Sequence, residues 1–195
     1  MSATLSNPGT AVQSPASLAH VVLRTSNFQA MRDFYITFLG ANPSFESDHM
    51  SFLTYDHEHH RIAIINMLHL GAKDTKTRGL DHIAFTYPTL DDLALAYLQR
   101  KANGIMPAWP VNHGATTSMY YLDPDGNHLE TQVDNFDTNE DTSAYLESEE
   151  FLTNPIGVDF DPEDLIKRLK SGESHASIKK RPESGPRGLD TVPLE

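Results

Sequence analysis

Apolar and polar positions alternate near the start of the chain and then change to a helical spacing. Residues 17–24 (SLAHVVLR) alternate as a strand does. The apolar face of a helix follows, formed by Phe28, Met31, Phe34, Tyr35, Phe38 and Leu39. Ser26, with Gln29 three residues later, is typical of a capping box at the start of this helix, and Gly40 suits its end. The pattern predicts a strand followed by an amphipathic helix.

The same order recurs later in the chain. Residues 79–85 (GLDHIAF) again look like a strand, and Thr89 with Asp92 can cap the helix that follows. Further strands are predicted at 51–55 and 61–68 in the first copy, and at 117–122 and 127–133 in the second. We interpret the chain as two β-α-β-β(-β) modules, about 17–70 and 79–136. Because neither module can bury its sheet alone, we expect an α+β fold in which they pair into one curved mixed sheet around a cleft.

The segments outside this 17–136 domain have weaker patterns. Residues 1–16 are predicted to be a flexible lead-in. Residues 137–172 form an extension with one short helix, which begins at Asp161 and Pro162 and covers an outer surface. Residues 173–195 are rich in Pro, Gly, Ser and charge, and are predicted to be a disordered tail. Their basic triplet (KKR, 179–181) is interpreted as solvated rather than phosphate-binding.

Composition narrows the possible functions. The 195 residues include 15 Lys and Arg against 27 Asp and Glu, a net charge of −12, which argues against nucleic-acid binding. The chain has neither an apolar run of the roughly 18 residues that a membrane span needs nor the pattern of a secretory signal. Cysteine is absent, so disulfides and thiolate metal sites are excluded, and a cytoplasmic location is expected. Any bound metal must be held by carboxylates or by some of the ten histidines.

Two histidines occupy the same place in the two modules. His20 and His82 each lie in the first strand, shortly before the helix. In the first strand Ala19, Val21 and Leu23 alternate with His20, so this histidine points away from the face that packs on the helix. In the second module Ile83 and Phe85 alternate with His82, so the His82 side chain also points away from the face that packs on the helix. We expect both to line the concave side of the sheet, although a structural role is the alternative for either one alone.

Glu130 is the third candidate ligand. Residues 123–126 (DPDG) predict a tight hairpin whose register sets Tyr120 opposite Glu130. The apolar Leu129 and Val133 belong to the outer face, so Glu130 points inward. A lone inward carboxylate is costly unless it is paired or bound to a metal. Two histidines and one carboxylate from three strands form a facial triad, which suits non-haem Fe(II).

The segments AHVVLRT, DHIAF and YYLDPDGNHLE resemble the vicinal-oxygen-chelate superfamily of glyoxalases, bleomycin-resistance proteins and dioxygenases. The resemblance covers about residues 17–134 and implies paired βαβββ modules around a metal cleft. Glyoxalase I would require a fourth ligand, a carboxylate on the last strand of the first module, and residues 61–68 contain none. The three remaining ligands resemble the set of the type I extradiol dioxygenases.

Three further positions resemble that branch. His60 stands where those enzymes carry a histidine that handles protons and stabilises bound oxygen. Tyr120, ten residues before Glu130, matches their substrate-binding tyrosine, although Tyr121 competes for this role. His113 resembles their substrate-facing histidine. An exposed or packing role is the alternative for each of these side chains.

The resemblance implies an oxidoreductase that cleaves the aromatic ring of a catechol-like diol and incorporates both atoms of O₂. Fe(II) is the expected cofactor, with Mn(II), Ni(II) or Zn(II) as alternatives. A neutral polyphenol is favoured as substrate because the net charge of −12 would not attract an anion. Short members of this type often form homodimers or higher homo-oligomers. Two alternative functions remain open, a metal-dependent isomerase, epimerase or lyase, and a metal-free protein that binds aromatic ligands.

Overall fold

The computed structural model describes residues 5–6 and 9–193. The first module consists of β1 (Val21–Thr25), α1 (Phe28–Leu39), β2 (Asn42–Glu46), β3 (Met50–Thr54) and β4 (Ile62–Asn66). The strand order in its sheet is β1-β4-β3-β2, with β1 parallel to β4 and the other neighbours antiparallel. The sequence did not predict β2, whose residues are all exposed and therefore show no alternation.

The second module repeats this order. It consists of β5 (His82–Thr86), α2 (Leu90–Ala102), β6 (Trp109–Asn112), β7 (Thr116–Leu122) and β8 (His128–Asp134). The sheet order is β5-β8-β7-β6-β9, with β5 parallel to β8 and with β9 (Val158–Asp159) added from the C-terminal extension. The α+β class and the paired modules are therefore confirmed.

The two modules keep separate sheets of four and five strands, whereas the sequence predicted one curved sheet. β1 and β5 are edge strands of these sheets, and a cleft of about 250 Å³ lies between them. The modules meet through side chains instead of backbone hydrogen bonds between these strands. Val21 and Leu23 of β1 pack against the same hydrophobic core as Ile83 and Phe85 of β5.

Both long helices pack on this shared core. Met31, Tyr35 and Phe38 are the buried residues of α1, and the Phe38 ring lies 5.1 Å from the ring of Tyr121 in β7. The Tyr35 hydroxyl donates to Asp123 in the β7–β8 turn, at 3.0 Å. The first helix therefore binds directly to the second module, and the core lies on the side of the sheets opposite to the predicted site.

The helix ends agree with the sequence in three places and differ in one. Gly40 ends α1 in the left-handed conformation (φ 61°), and the Thr89 hydroxyl accepts the Asp92 amide at 3.1 Å at the start of α2. Asp161 caps the helix in the extension, as predicted. The capping box predicted at Ser26 is wrong, because Asn27 is the N-cap residue and its side chain makes no capping hydrogen bond.

The extension contains more structure than the sequence predicted. It forms α3 (Asn139–Leu146), α4 (Glu149–Thr153), β9 and α5 (Pro162–Lys170). Only α5 was predicted, because α3 and α4 bury no residue and so lack an apolar stripe. The helix α5 was expected to cover an outer surface, and it packs on α2 with Leu165 and Ile166 in the main core, whereas β9 pairs with β6 and extends the second module's sheet.

The tail also differs from the prediction of disorder over 173–195. Residues of this segment form α6 (His175–Lys179) and a short 3₁₀ turn at Leu189–Thr191. Ile178 is buried in the main core, which gives α6 an anchor that a composition argument does not detect. Arg181, interpreted above as solvated, is only 7% exposed.

At the other end, residues 9–16 form neither helix nor strand and are exposed. Residues 1–4 and 7–8 of the predicted lead-in lie outside the described part of the chain, as do residues 194–195. Within residues 5–6 and 9–193, no helix is long and apolar enough to cross a membrane.

Candidate metal centre

β5 and β8 bring an imidazole and a carboxylate together. The two strands are parallel, with Ala84 beside Glu130, and the His82 Nε2 atom lies 3.1 Å from Glu130 Oε2. The other ring nitrogen, Nδ1, lies 2.6 Å from the carboxylate of Asp81. The hydrogen bonds to Glu130 and Asp81 outweigh burial and raise the pKa of His82 to about 9. In the absence of a metal, His82 is therefore the cation that balances Glu130.

Glu130 is 5% exposed. Its side chain faces the site, as the alternation of residues along the strand predicted. The turn at 123–126, with Gly126 at φ 79°, sets Tyr120 opposite Glu130 in the β7–β8 pair. Burial raises the pKa of Glu130, but hydrogen bonds from His82 and Ser118 outweigh it, so the pKa lies below its ordinary value. The carboxylate is ionised and buried at neutral pH, a state that suits a metal ligand.

His20 and His60 form a second group, in the first module. Their ring centroids lie 4.3 Å apart, and the His60 ring stacks on Phe52 at 4.6 Å. His60 is 8% exposed, and burial followed by repulsion from His20 and His59 lowers its pKa. The sequence left open that the His60 side chain is merely exposed to solvent, but in the structure this side chain is buried. His20, just before β1, lines the cleft between β1 and β5.

The predicted triad is only partly assembled. His82 and Glu130 are in contact, whereas His20 packs on His60. Among residues 5–6 and 9–193, no three His, Asp or Glu side chains form a group that could hold a metal ion. The donor types and the burial of the His82–Glu130 pair fit Fe(II), and the third donor lies at the edge of the neighbouring sheet. A common metal site for the three residues therefore stays a prediction.

Tyr120 lies beside the pair. Its ring centroid is 5.4 Å from that of His82, and the ring stacks on Trp109 with the centroids 5.0 Å apart. Burial and the neighbouring Glu130 raise the pKa of Tyr120, so its hydroxyl keeps its proton at neutral pH. Tyr121, the other candidate, points to the opposite face and is fully buried in the core.

His113 completes this group. It lies in the β6–β7 loop, where its Nε2 is 3.1 Å from the Tyr120 hydroxyl and its Nδ1 is 2.5 Å from the Ile156 carbonyl oxygen. A carbonyl oxygen can only accept, so Nδ1 carries the proton. Burial lowers the pKa of His113, which leaves the ring neutral at neutral pH, and the unprotonated Nε2 then accepts the Tyr120 proton.

The C-terminal extension supplies residues to this face that the sequence analysis missed. Ile156 packs with Trp109 and Tyr120 in a small second core, to which Val192 also contributes. The indole nitrogen of Trp109 donates to Asp159 at 2.8 Å. No motif marks these positions, and the only local signal is the turn-forming glycine in the sequence NPIG (154–157).

Comparison with known proteins identifies relatives that cover most of this chain. The family model described as the Glyoxalase/Bleomycin resistance protein/Dioxygenase superfamily matches residues 17–131. Biphenyl-2,3-diol 1,2-dioxygenase 2 of Rhodococcus globerulus is 45% identical over 155 residues, which are 79% of this chain and 82% of the relative. Biphenyl-2,3-diol 1,2-dioxygenase 3 of the same organism is 46% identical over 166 residues, or 84% and 87%.

More distant proteins share the fold. Metapyrocatechase 2 of Cupriavidus necator is 28% identical over 62% of this chain, which spans only 37% of that protein. The crystal structure of a glyoxalase/dioxygenase from Nostoc punctiforme covers 65% of this chain and 98% of its own, with a TM-score of 0.53 and 22% identity. The crystal structure of lactoylglutathione lyase from Agrobacterium tumefaciens covers 62% of this chain and 96% of its own, with a TM-score of 0.51 and 15% identity. At these identities the two structures support the fold alone.

Proposed function

The chain belongs to the glyoxalase/bleomycin resistance protein/dioxygenase superfamily, and from this premise we propose that it is an Fe(II)-dependent extradiol-type dioxygenase. The proposed reaction cleaves the aromatic ring of a catechol-like diol with O₂. Both oxygen atoms enter the product, a ring-opened semialdehyde-type acid. The two relatives at 45% and 46% identity, both named biphenyl-2,3-diol dioxygenases, support a diol of this class as the substrate.

One observation carries the proposal: the buried His82–Glu130 pair lies beside the hydroxyl-bearing ring of Tyr120. A buried carboxylate in a sheet is retained at a cost to stability, and the pair provides two of the three donors of a facial triad. In the proposed site His20, His82 and Glu130 hold the metal, and Asp81 fixes the His82 ring through Nδ1.

When bound there, Fe(II) supplies the Lewis acidity that lowers the pKa of a diol hydroxyl and the electron transfer that O₂ chemistry requires. Mn(II), Ni(II) and Zn(II) are the alternative ions. The substrate is proposed to be neutral, since a net charge of −12 repels anions at long range. The rings of Trp109 and Phe52 provide apolar walls on the two modules.

The protein residues handle the protons. The second diol hydroxyl donates to the Tyr120 oxygen, while Tyr120 donates its own proton to His113 Nε2. Because the pKa of Tyr120 is raised, the tyrosine acts as a relay and hydrogen-bond donor, not as a standing phenolate base. His113 receives the proton, and its Nδ1–H remains anchored on the Ile156 carbonyl. His60, in the opposite module, is neutral because burial lowers its pKa, and it is proposed to accept the proton of the first diol hydroxyl and to return that proton when the ring opens.

A second function is favoured by one observation, the position of His20 against His60 instead of beside Glu130. If this arrangement persists in solution, the His82–Glu130 pair lacks a third ligand, and a metal-free protein that binds aromatic ligands is the alternative. A bound metal that supports an isomerase, epimerase or lyase, without O₂ consumption, is the remaining one.

The three functions are separated by one set of measurements. The protein is purified without oxygen, its metal is quantified, and O₂ uptake is followed with biphenyl-2,3-diol and simple catechols. The proposal predicts about one iron per chain and O₂ uptake with a yellow ring-opened product, both lost in Glu130→Gln. Tight ligand binding without metal would support the binding protein, and bound metal without O₂ uptake on any diol would contradict ring cleavage.

A further inference from the structure

Arg181 is a buried charged residue in a segment that its sequence suggests is solvated. Its side chain is 3% exposed, and its guanidinium pairs with the Glu150 carboxylate at 3.1 Å. Two further donors reach backbone carbonyls, from Nη1 to Asn154 O at 2.6 Å and from Nη2 to Glu150 O at 2.9 Å. A guanidinium costs several kcal/mol to bury without partners, so each of these contacts stabilises the arrangement.

These contacts lead directly to His113. The Arg181 Nη1 atom lies 3.4 Å from the carbonyl oxygen of His113 and also binds Asn154, two residues before Ile156. The Asn154 side-chain oxygen in turn accepts the amides of Ile156 and Gly157, at 3.1 and 2.7 Å. Arg181 therefore joins both ends of the His113–Ile156 hydrogen bond.

The backbone contact at this point leaves no spare room. Gly157 has φ 108°, and a Cβ there would lie 2.3 Å from the Asn112 carbonyl oxygen and 2.8 Å from the His113 Cα atom. The loop between α4 and β9 thus lies directly against the residues that carry His113. It has no helix or strand of its own at 154–157, and side chains hold it: Asn154, Arg181, and Arg187, whose Nη1 atom donates to the Gly157 carbonyl oxygen at 3.2 Å.

We propose that Arg181 is a positioning residue that holds the Ile156 carbonyl against His113 Nδ1 and so keeps the His113 Nε2 atom unprotonated towards Tyr120. The inference rests on the proposed function for the role of the Tyr120–His113 relay. The other tautomer would place a proton on Nε2, which could no longer accept from Tyr120. The C-terminal tail, through Arg181, thereby decides the direction in which the Tyr120 proton points.

The direct test is the tautomer of His113, read by nitrogen NMR of imidazole-labelled protein without added metal, with the His113→Gln variant for assignment. Wild type is expected to carry the proton on Nδ1. In Arg181→Met the signal is expected to move towards a mixture of tautomers. Arg181→Lys keeps the positive charge but has a single donor nitrogen instead of the three nitrogens of the guanidinium. Its His113 signal is therefore expected to lie between those of wild type and Arg181→Met.

A matched control is available in α5 of the C-terminal extension. Arg168 also pairs with a carboxylate, Glu173, and contacts a carbonyl, that of Ser177, but it does not touch the 154–157 loop. Arg168→Met is expected to leave the His113 signal unchanged. If Arg181→Met fails to fold, Arg181→Lys decides. An unchanged Nδ1–H tautomer in the folded Arg181 variants, or an equal shift in Arg168→Met, would overturn the inference.

Turnover provides a second readout that separates this inference from the proposed function. With a catechol as substrate, Arg181→Met is expected to bind iron as wild type does while kcat/KM falls about 10-fold and its pH profile shifts, with partial recovery in Arg181→Lys. If wild type cleaves no diol, the proposed function fails while the tautomer measurement still tests the positioning. If Arg181→Met changes the His113 tautomer but leaves the pH profile of kcat/KM unaltered, Arg181 positions His113 but this positioning has no effect on turnover.

Discussion

The imidazole of His82 is in contact with the carboxylate of Glu130, with Nε2 3.1 Å from Oε2, across two adjacent parallel strands. Both groups are charged in the absence of a metal, because each stabilises the ionised form of the other. A divalent cation that replaces the proton on His82 would be bound by the same two atoms. The contact thus links the fold of the second module to the metal chemistry proposed for it.

Glu130→Gln is expected to remove most of the metal affinity, because a neutral amide is a weaker ligand and no longer compensates a cation. Iron bound after anaerobic reconstitution measures the effect. Gln132→Ala is the matched control, two positions along the same strand, where the side chain donates to the Thr86 hydroxyl at 3.3 Å. Equal iron content in Glu130→Gln and wild type would remove Glu130 from the metal site.

Tyr120→Phe and Tyr121→Phe test the two faces of β7. Loss of the Tyr120 hydroxyl breaks the contact to His113 Nε2, and kcat is expected to fall roughly 100-fold, the scale of general acid–base catalysis. The Tyr121 hydroxyl donates to the Met119 sulfur at 3.7 Å in the core and also interacts with Arg100 and Thr131, so its loss is expected to cost about 1–3 kcal/mol of stability and to leave kcat near wild type. Steady-state kinetics and thermal unfolding measure both, and a larger kinetic effect from Tyr121 would contradict the assignment.

His60→Phe is expected to retain iron yet lose most turnover. Phenylalanine preserves the stacking on Phe52 but cannot carry a proton. His57→Phe changes an exposed histidine of the same segment and serves as the control. O₂ uptake per bound iron is the measurement, and full activity in His60→Phe would remove the oxygenase-specific role of this residue.

Low pH is expected to weaken the ion pair between Asp159 in β9 and Arg187 in the tail, and so to lower the stability of the protein. Burial raises the pKa of this carboxyl, but hydrogen bonds from Arg187 and Trp109 outweigh it, so the folded pKa lies below the unfolded one. The stability that Asp159 contributes is therefore full above about pH 4 and is lost as the pH falls through the folded value. Asp159→Asn is expected to lower the Tm by about 1–2 °C at pH 7, the scale of an exposed ion pair. Thermal unfolding across pH measures this, and a deficit that does not shrink at all as the pH is lowered below about 4 would contradict the assignment.

Local patterns in the sequence predicted much of the fold. Four features were predicted from residues that lie close together in the sequence. They are the apolar face of α1, the Thr89 cap, the hairpin at 123–126 and the inward direction of the Glu130 side chain. β2 and β6 were missed because each contains a proline, Pro43 or Pro110, and because β2 is exposed on both faces while β6 has only four residues. Such strands are defined by their neighbours in the sheet and not by their own alternation.

The parts of the site that come from the tail could not be predicted in this way. A basic residue in a Pro- and Gly-rich segment is usually solvated, and the burial of Arg181 depends on Glu150 and Asn154, far away in the sequence. The separation of the two sheets was equally hidden, because alternation does not tell whether β1 and β5 exchange hydrogen bonds. The position of His20 relative to Glu130 depends on that separation.

The proposed reaction requires that His20, His82 and Glu130 bind one Fe(II). A crystal structure of protein loaded with Fe(II) and kept without oxygen, with anomalous scattering at the iron edge to locate the metal, measures this. A single iron peak coordinated by these three side chains is expected, with His20 moved away from His60. An iron bound elsewhere, or a structure without bound iron in which His20 still packs on His60, would refute the three-residue site.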